Sequence, residues 1–150
     1  MPPLVYRSAF LSSEVALTDI ERLQQAMLEL PQLELETLHY WADGMYCRWL
    51  FRPAGCTIVG KVHKREHFYI VVSGEVTISG DGFRERVKAP KLFVSKPGTK
   101  RAVYAHEPSI CITVHRTDST DLNEIERELV EEDPTALFDA HNRVKPLELK

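Results

Sequence analysis

The stretch that decides the fold is GCTIVGKVHKREHFYIVVSG, from Gly55 to Gly74. A turn glycine leads into a β-favouring run that ends at His63, and His67 opens a second apolar run that closes at Gly74. Valine, isoleucine, tyrosine and phenylalanine are typical of strands, and glycine is typical of the turns between them. The stretch therefore predicts two short strands, with a histidine at the end of the first and at the start of the second.

The strand pattern continues on both sides of this stretch. All seven glycines lie between Gly44 and Gly98, a window that is also rich in valine, isoleucine, tyrosine and phenylalanine. The predicted strands cover residues 33–40, 45–52, 57–63, 67–72, 75–79, 83–87, 92–94, 101–104 and 110–116. Short strands at this spacing, separated by turn residues, are typical of a β-sandwich or a barrel.

Helical patterns flank the strands. Residues 18–21 read Thr-Asp-Ile-Glu and fit a capping box, and Pro31 ends the apolar stripe that follows. Asp121 can cap a second helix near the other end of the chain. We therefore expect a single, mainly β domain over residues 1–150. Its barrel should cover about 38–116, with an N-terminal helix over about 18–30 and a helical C-terminal tail over about 120–143.

The composition narrows the possible classes of protein. A chain of 150 residues that is 43% apolar suits one packed domain. It contains no apolar run near the roughly 18 residues of a membrane span, and its start lacks the pattern of a signal peptide. A net charge of −3 gives no reason to expect nucleic-acid binding. Cys47, Cys56 and Cys111 predict free thiols in a reducing compartment, so we expect a cytoplasmic protein. Because no apolar run is long enough to span a membrane, we expect no membrane partner.

Strand parity predicts what lines the interior of the barrel. Alternate residues of a strand point to the same face. If both histidines of the opening stretch point inward, a polar cluster gathers among apolar walls, which is typical of a small-ligand site. The residues that parity places inside are Thr57, Val59, Lys61, His63, His67, Tyr69, Val71, Arg101, Val103 and Ala105.

Other candidate residues are expected to have structural roles or to lie outside the pocket. His39, His115 and His141 are expected to be satisfied structural residues. His106 has the wrong parity relative to Arg101, so it reaches the pocket only if its strand bulges or has already ended. Trp41, Trp49 and Phe51 are expected in the core or on a dimer face, with Tyr46, Arg48 and Leu50 on the opposite side of one strand.

The layout around His63, His67 and the later Pro97-Gly98 turn resembles the two motifs of the cupin superfamily, whose RmlC-like members are double-stranded β-helices, or jelly rolls. Metal-binding cupins supply two histidines and a glutamate from the first motif and a third histidine from the second. Aligned on the motif glycines, the first histidine position is Lys61 and the second is His63. The glutamate position is His67, and the third histidine position is Arg101.

These exchanges change what the resemblance implies. Lysine and arginine aimed at one spot repel a divalent cation, whereas together they suit a carboxylate or a phosphate. The first interpretation is therefore a protein whose barrel binds a small anionic molecule, such as a carboxylate, a phosphate or a nucleotide-like ligand. The expected contacts are Lys61, His63, His67, Tyr69, Arg101 and, where its strand has already ended, His106.

Two enzymatic alternatives and an inert barrel stay open. A reduced metal site of His63 and His67 could hold Zn, Fe, Ni or Mn and serve an oxygenase or isomerase. A metal-free enzyme similar to the sugar-nucleotide epimerases would pair one of these histidines with Tyr69. A barrel without any ligand would serve as a structural or interaction protein.

The resemblance also extends to small uncharacterised cupins encoded by tailed bacteriophages. It rests on Gly44-Met45-Tyr46, Lys100-Arg101 and Tyr104-Ala105-His106. It implies a homodimer paired through its sheets and, for a phage protein, the cytoplasm of the host cell. Because it implies no settled activity, the sequence does not decide whether a reaction is catalysed.

Overall fold

A computed structural model describes residues 17–27, 29–30, 32–80, 82–132, 139–141 and 143. Within these residues the chain forms a helix, nine strands and a second helix. In chain order they are α1 (Leu17–Met27), β1 (Thr37–Ala42), β2 (Met45–Arg52), β3 (Thr57–Val59), β4 (His67–Ser73), β5 (Glu75–Gly80), β6 (Phe83–Lys88), β7 (Lys91–Ser95), β8 (Ala102–Ala105), β9 (Ser109–Arg116) and α2 (Leu122–Leu129).

The strands form two antiparallel sheets that face each other. One sheet has five strands in the order β1-β2-β9-β4-β7, and the other has four in the order β3-β8-β5-β6. Between them lies the main apolar core of Tyr69, Val71, Val76, Ile78, Val87, Val103, Ala105 and Cys111. The sequence predicted a mainly β fold with one helix before the strands and one after them, and this prediction is confirmed.

The inner face of the five-stranded sheet follows the alternation of its strands. His67, Tyr69 and Val71 of β4 are buried, as parity predicted, because every second residue points to the core. Tyr69 pairs with Thr113 of β9, and Val71 pairs with Cys111. Residues directly opposite each other in an antiparallel ladder share a face. The inner face of β9 therefore includes both of these partners.

The same rule fixes the inner face of β2. Its residues Tyr46, Arg48 and Leu50 pair with His115, Thr113 and Cys111 respectively. These three side chains and that of Arg52 therefore point into the barrel. The outer face of the strand carries Met45, Cys47, Trp49 and Phe51.

Strand β3 departs from the parity prediction. It ends at Val59, short of the predicted end at His63. Ile58 pairs with the core residue Val103, whereas Val59 packs against α1 and also borders the cavity, so the alternation predicted for β3 is shifted by one residue. Residues 60–62 lie outside any strand, and this irregular segment resets the alternation. Lys61 and His63 consequently reach the cavity from a loop.

The helices cover two different parts of the barrel. From α1, Ile20, Leu23 and Met27 pack on Ala102 at the outer side of the four-stranded sheet. From α2, Ile125 and Leu129 pack on Tyr46. The N-cap of α2 is Asp121, which accepts the backbone N–H groups of residues 123 and 124. Neither described helix is long and apolar enough to cross a membrane.

The tail after α2 crosses one end of the barrel. Val130 forms a β-bridge with His63, and the backbone N–H of Glu131 donates to the carbonyl of Val62 over 2.9 Å. The backbone N–H of Lys64 donates to the carbonyl of Leu129 over 2.7 Å. The further short helix that the sequence suggested over residues 135–143 falls mostly outside the described residues.

Candidate metal and ligand site

Three histidines meet at the end of the barrel that α2 covers. His63 follows β3 in a loop, His67 begins β4 and His115 lies near the end of β9. The register that pairs Tyr69 with Thr113 also brings His67 opposite His115. The ring nitrogens that could act as ligands all lie within 4.8 Å of one another. The ring centroids are 4.3 to 5.3 Å apart.

All three imidazoles are held in the neutral form at neutral pH. Burial lowers the pKa of His63 to about 3 and that of His115 to about 2, with the His67 ring and Arg48 adding to both shifts. Burial also lowers the pKa of His67, and Arg101 adds to that effect. A neutral imidazole keeps the lone pair that a metal ion needs.

Hydrogen bonds orient two of these rings. Nδ1 of His67 contacts the carbonyl oxygen of Arg65 at 3.3 Å, and a carbonyl can only accept, so Nδ1 carries the proton. Nε2 of His67 is then the nitrogen left as a ligand. Nε2 of His115 contacts Oγ1 of Thr113 at 2.9 Å. Three neutral nitrogen donors in this grouping fit a divalent transition-metal ion.

The histidines open onto a cavity of about 170 Å³ between the sheets. An engineered protein cavity of about 150 Å³ holds benzene, so this one suits a ligand of similar size. Its described lining is apolar over much of its surface, from side chains such as Leu50, Ile58 and Val103. The charged residues of the lining are Arg48, Arg52, Lys61, Arg101, Glu126 and Asp139. Cations therefore outnumber carboxylates around the cavity.

Lys61 lines the cavity and is paired with the covering helix. Its Nζ forms a salt bridge with a carboxylate oxygen of Glu126, at side-chain exposures of 20% and 31%. This contact ties the loop before His63 to α2. The Lys61 charge is thus partly balanced within the chain.

Arg101 and Tyr69 lie together deeper in the barrel. The Arg101 guanidinium carbon is 5.7 Å from the Tyr69 ring centroid, 5.8 Å from that of Phe83 and 6.0 Å from that of Phe93. Aromatic faces attract a cation at this range. Tyr69 accepts a hydrogen bond from Nη2 of Arg52 over 3.0 Å, and burial raises the pKa of its phenol, which stays protonated.

His106 does not belong to the described lining of the cavity. Strand β8 has ended at Ala105, but the next residue turns to the outer side of the four-stranded sheet. There Nε2 of His106 lies 2.6 Å from Oγ1 of Thr77, and its ring meets that of Tyr104 edge-on at 4.9 Å. The structure thus brings together Lys61, His63, His67, Tyr69 and Arg101, and it leaves His106 apart.

Sequence reasoning missed three residues of this site. His115 was interpreted as a structural residue, yet it completes the histidine cluster. Arg48 and Arg52 were not singled out, yet both line the cavity. A signal was available in the alternation of β2, where both arginines share a face with Leu50. For His115 the deciding information is the pairing of β9 with β4, which no local pattern contains.

Comparisons with known proteins identify the fold. No family model matches the sequence. No curated protein matches it either. Among solved structures, the chain is similar to a cupin superfamily protein from Desulfitobacterium hafniense DCB-2, with a TM-score of 0.50 and 10% identity over 62% of this chain and 86% of the other.

Two further solved structures are similar to the chain in fold. An uncharacterized conserved protein with a double-stranded β-helix domain from Klebsiella pneumoniae subsp. pneumoniae MGH 78578 has a TM-score of 0.51 and 20% identity, over 62% of this chain and 85% of the other. An RmlC-like cupin from Shewanella frigidimarina NCIMB 400 has a TM-score of 0.50 and 17% identity, over 59% and 79%. Identities this low show the fold alone, and the predicted cupin-type double-stranded β-helix is confirmed.

Proposed function

We propose that this protein binds a divalent metal ion on His63, His67 and His115 and uses the ion to hold a small ligand inside its barrel. The observation that carries the proposal is the cluster of three neutral imidazoles within 4.8 Å. Three protein ligands leave a coordination position for an exogenous molecule, as catalytic metal sites do. Zn, Fe, Ni and Mn all bind imidazole ligands, so the three histidines do not determine which metal is bound.

The surrounding charges support an anionic ligand. Arg48 and Arg101 act on the histidines closely enough to lower their pKa values, and both oppose a lone divalent cation. An anion in the same cavity offsets this repulsion and is itself attracted by both the arginines and the ion. The proposed ligand is therefore a small carboxylate or phosphate that coordinates the metal through an oxygen.

An enzymatic role follows if the bound molecule reacts. A metal ion held by His63, His67 and His115 would supply Lewis acidity toward a carbonyl or hydroxyl oxygen of the ligand. The arginines would orient the anion, and the apolar walls with α2 would exclude water from it. An oxygenase or an isomerase is the enzymatic form of this proposal.

Metal-free acid–base catalysis on a sugar nucleotide has less support. A general acid works best with a pKa near the working pH, and burial raises that of Tyr69 away from it. A cavity of about 170 Å³ also suits a much smaller molecule than a sugar nucleotide.

We also propose that two copies pair through the outer face of the five-stranded sheet. Large side chains there stay exposed, including Phe68 at 47%, Leu92 at 56% and Val94 at 50%. A stable interface covers about 800 Å² on each partner, and apolar side chains reach across all five strands. A cytoplasmic location and an origin in a phage stay predictions from the sequence and the resemblance.

The metal proposal is tested by elemental mass spectrometry on tag-free protein. We expect close to one equivalent of a transition metal in the parent and none in a His63→Ala/His67→Ala double variant. His106→Ala is the matched control, because it removes a histidine outside the cavity lining. A parent that takes up no zinc, iron, nickel or manganese after incubation with each salt would overturn the proposal.

A further inference from the structure

We propose that Arg52 is the binding site for the carboxylate of a small organic acid, whose opposite end points toward the three histidines. The inference deepens the proposed function by naming the ligand class, and it rests on that function for the end nearest the metal. The surroundings of Arg52 alone support the position of the carboxylate end.

Arg52 is a buried cation with unused donors. It ends β2, lines the cavity and is only 5% exposed. Its Nη2 donates to Oη of Tyr69 and the Cys111 thiol is a further, weak partner, but Nε and Nη1 have no oxygen or nitrogen acceptor among the described residues. Burying such donors without an acceptor disfavours folding, and burying their charge without a counterion disfavours it further. An acceptor supplied by a bound molecule removes both penalties.

The described carboxylates of the cavity are engaged elsewhere. Glu126 pairs with Lys61, and one oxygen of Asp139 accepts two backbone N–H groups. None of the salt bridges formed within the described residues includes Arg52. Its other polar neighbours are the thiols of Cys56 and Cys111, which are weak acceptors. Within the described residues the Arg52 charge therefore has no carboxylate partner, and an anionic ligand would balance it.

The shape of the site selects a carboxylate of limited size. A guanidinium offers two parallel N–H groups to the two oxygens of one carboxylate. His67 and Tyr69 are two residues apart on one face of β4, which is about 7 Å along the strand. Tyr69 contacts Arg52, so an acid of about benzene size bound at the arginine would extend past Tyr69 in the direction of the histidines.

The test measures binding of defined small acids to the full chain by isothermal titration calorimetry. The probes are benzoate, salicylate and 2-oxobutyrate, with benzamide as the uncharged counterpart of benzoate and inorganic phosphate as a different anion. Each is titrated into the parent, Arg52→Met, Arg52→Lys and Arg86→Met. The last is the control, because Arg86 lies exposed on the four-stranded sheet in a salt bridge with Glu75.

We expect at least one of the three acids to bind the parent and benzamide not to bind. Arg52→Met should weaken that binding at least tenfold, Arg52→Lys should weaken it less, and Arg86→Met should leave it unchanged. Without any acid, Arg52→Met should melt at or above the temperature of the parent, which shows that the variant folds. Equal binding by the parent and Arg52→Met, or binding of phosphate with no acid bound, would overturn the inference, as would binding of none of the probes.

Repeating the titrations on chelator-treated and zinc-loaded protein separates this inference from the metal proposal. Acid binding that depends on Arg52 but occurs without any zinc uptake would overturn the metal proposal and leave the carboxylate site standing. Zinc uptake without acid binding would support the metal proposal and overturn the carboxylate site. Tighter salicylate binding in the zinc-loaded protein, lost in Arg52→Met, would support both.

Discussion

The two faces of the five-stranded sheet depart in different ways from the usual division of an antiparallel sheet. The inner face carries arginines, histidines and a tyrosine around a cavity, including Arg52, His67 and His115. The outer face carries large apolar side chains, several of them about half exposed. An antiparallel sheet usually packs its apolar face on the core and shows its polar face to water. The polar side chains beside the apolar core support the proposed ligand inside the barrel, and the exposed apolar side chains support the proposed pairing through the outer face.

Adjacent residues of β9 give the sharpest test of this contrast. His115 points inward and Val114 points outward. We expect His115→Ala to weaken zinc binding by more than about a hundredfold, because loss of a group that only orients a ligand already costs up to about that factor. Val114→Ala should leave zinc binding unchanged. The measurement is competition with a chelator of known affinity, and equal affinities in the two variants would contradict the three-histidine site.

The outer face is tested by placing charges on it. Phe68 and Val94 lie opposite each other on β4 and β7. Phe68→Glu with Val94→Glu would bury carboxylates against a second copy, and we expect association to weaken by roughly a hundredfold. Size-exclusion chromatography with light scattering should show a dimer for the parent and a monomer for the variant. Lys88→Glu on the other sheet is the control, and a monomeric parent at micromolar concentration would refute the pairing.

A pair of neighbouring valines compares the two faces in stability. Val71 is fully buried, and Val72 is 46% exposed. Val71→Ala leaves a cavity in the core, so we expect it to lower the free energy of unfolding by about 2 kcal/mol. Val72→Ala should cost less than about 0.5 kcal/mol in a monomeric background. Urea unfolding of the Phe68→Glu/Val94→Glu protein provides the measurement, and equal costs would show that the outer face is packed within one chain.

The smallest effect concerns the contact between the barrel and α2. The Lys61–Glu126 pair is partly exposed, so Lys61→Met should lower the free energy of unfolding by only about 0.5 kcal/mol. It should also increase amide hydrogen exchange in α2, because one of the contacts between the loop and the helix is lost. Lys96→Met is the control, because it removes a salt bridge with Glu66 that is much more exposed to solvent. This variant should leave amide hydrogen exchange in α2 unchanged. Equal exchange in both variants would mean that this pair does not hold the helix down.

The sequence predicts the fold far better than it predicts the site. The bounds of β2, Met45–Arg52, could be predicted because turn residues and β-favouring residues mark them locally. The alternation of β3 was predicted one residue out of step because the strand ends early and the following loop resets the alternation. His115 joins the cluster through pairing between strands far apart in the chain, and such register depends on the packing of the whole sheet.

The position of α2 and its tail bears on how long a molecule stays inside the barrel. The helix places Ile125 and Leu129 along the cavity, and the bridge between Val130 and His63 crosses the same end. If the proposed ion or acid leaves through this end, we expect the helix to lift first. We then expect the residence time to depend on the opening rate of an eight-residue helix as well as on the contacts of the bound molecule.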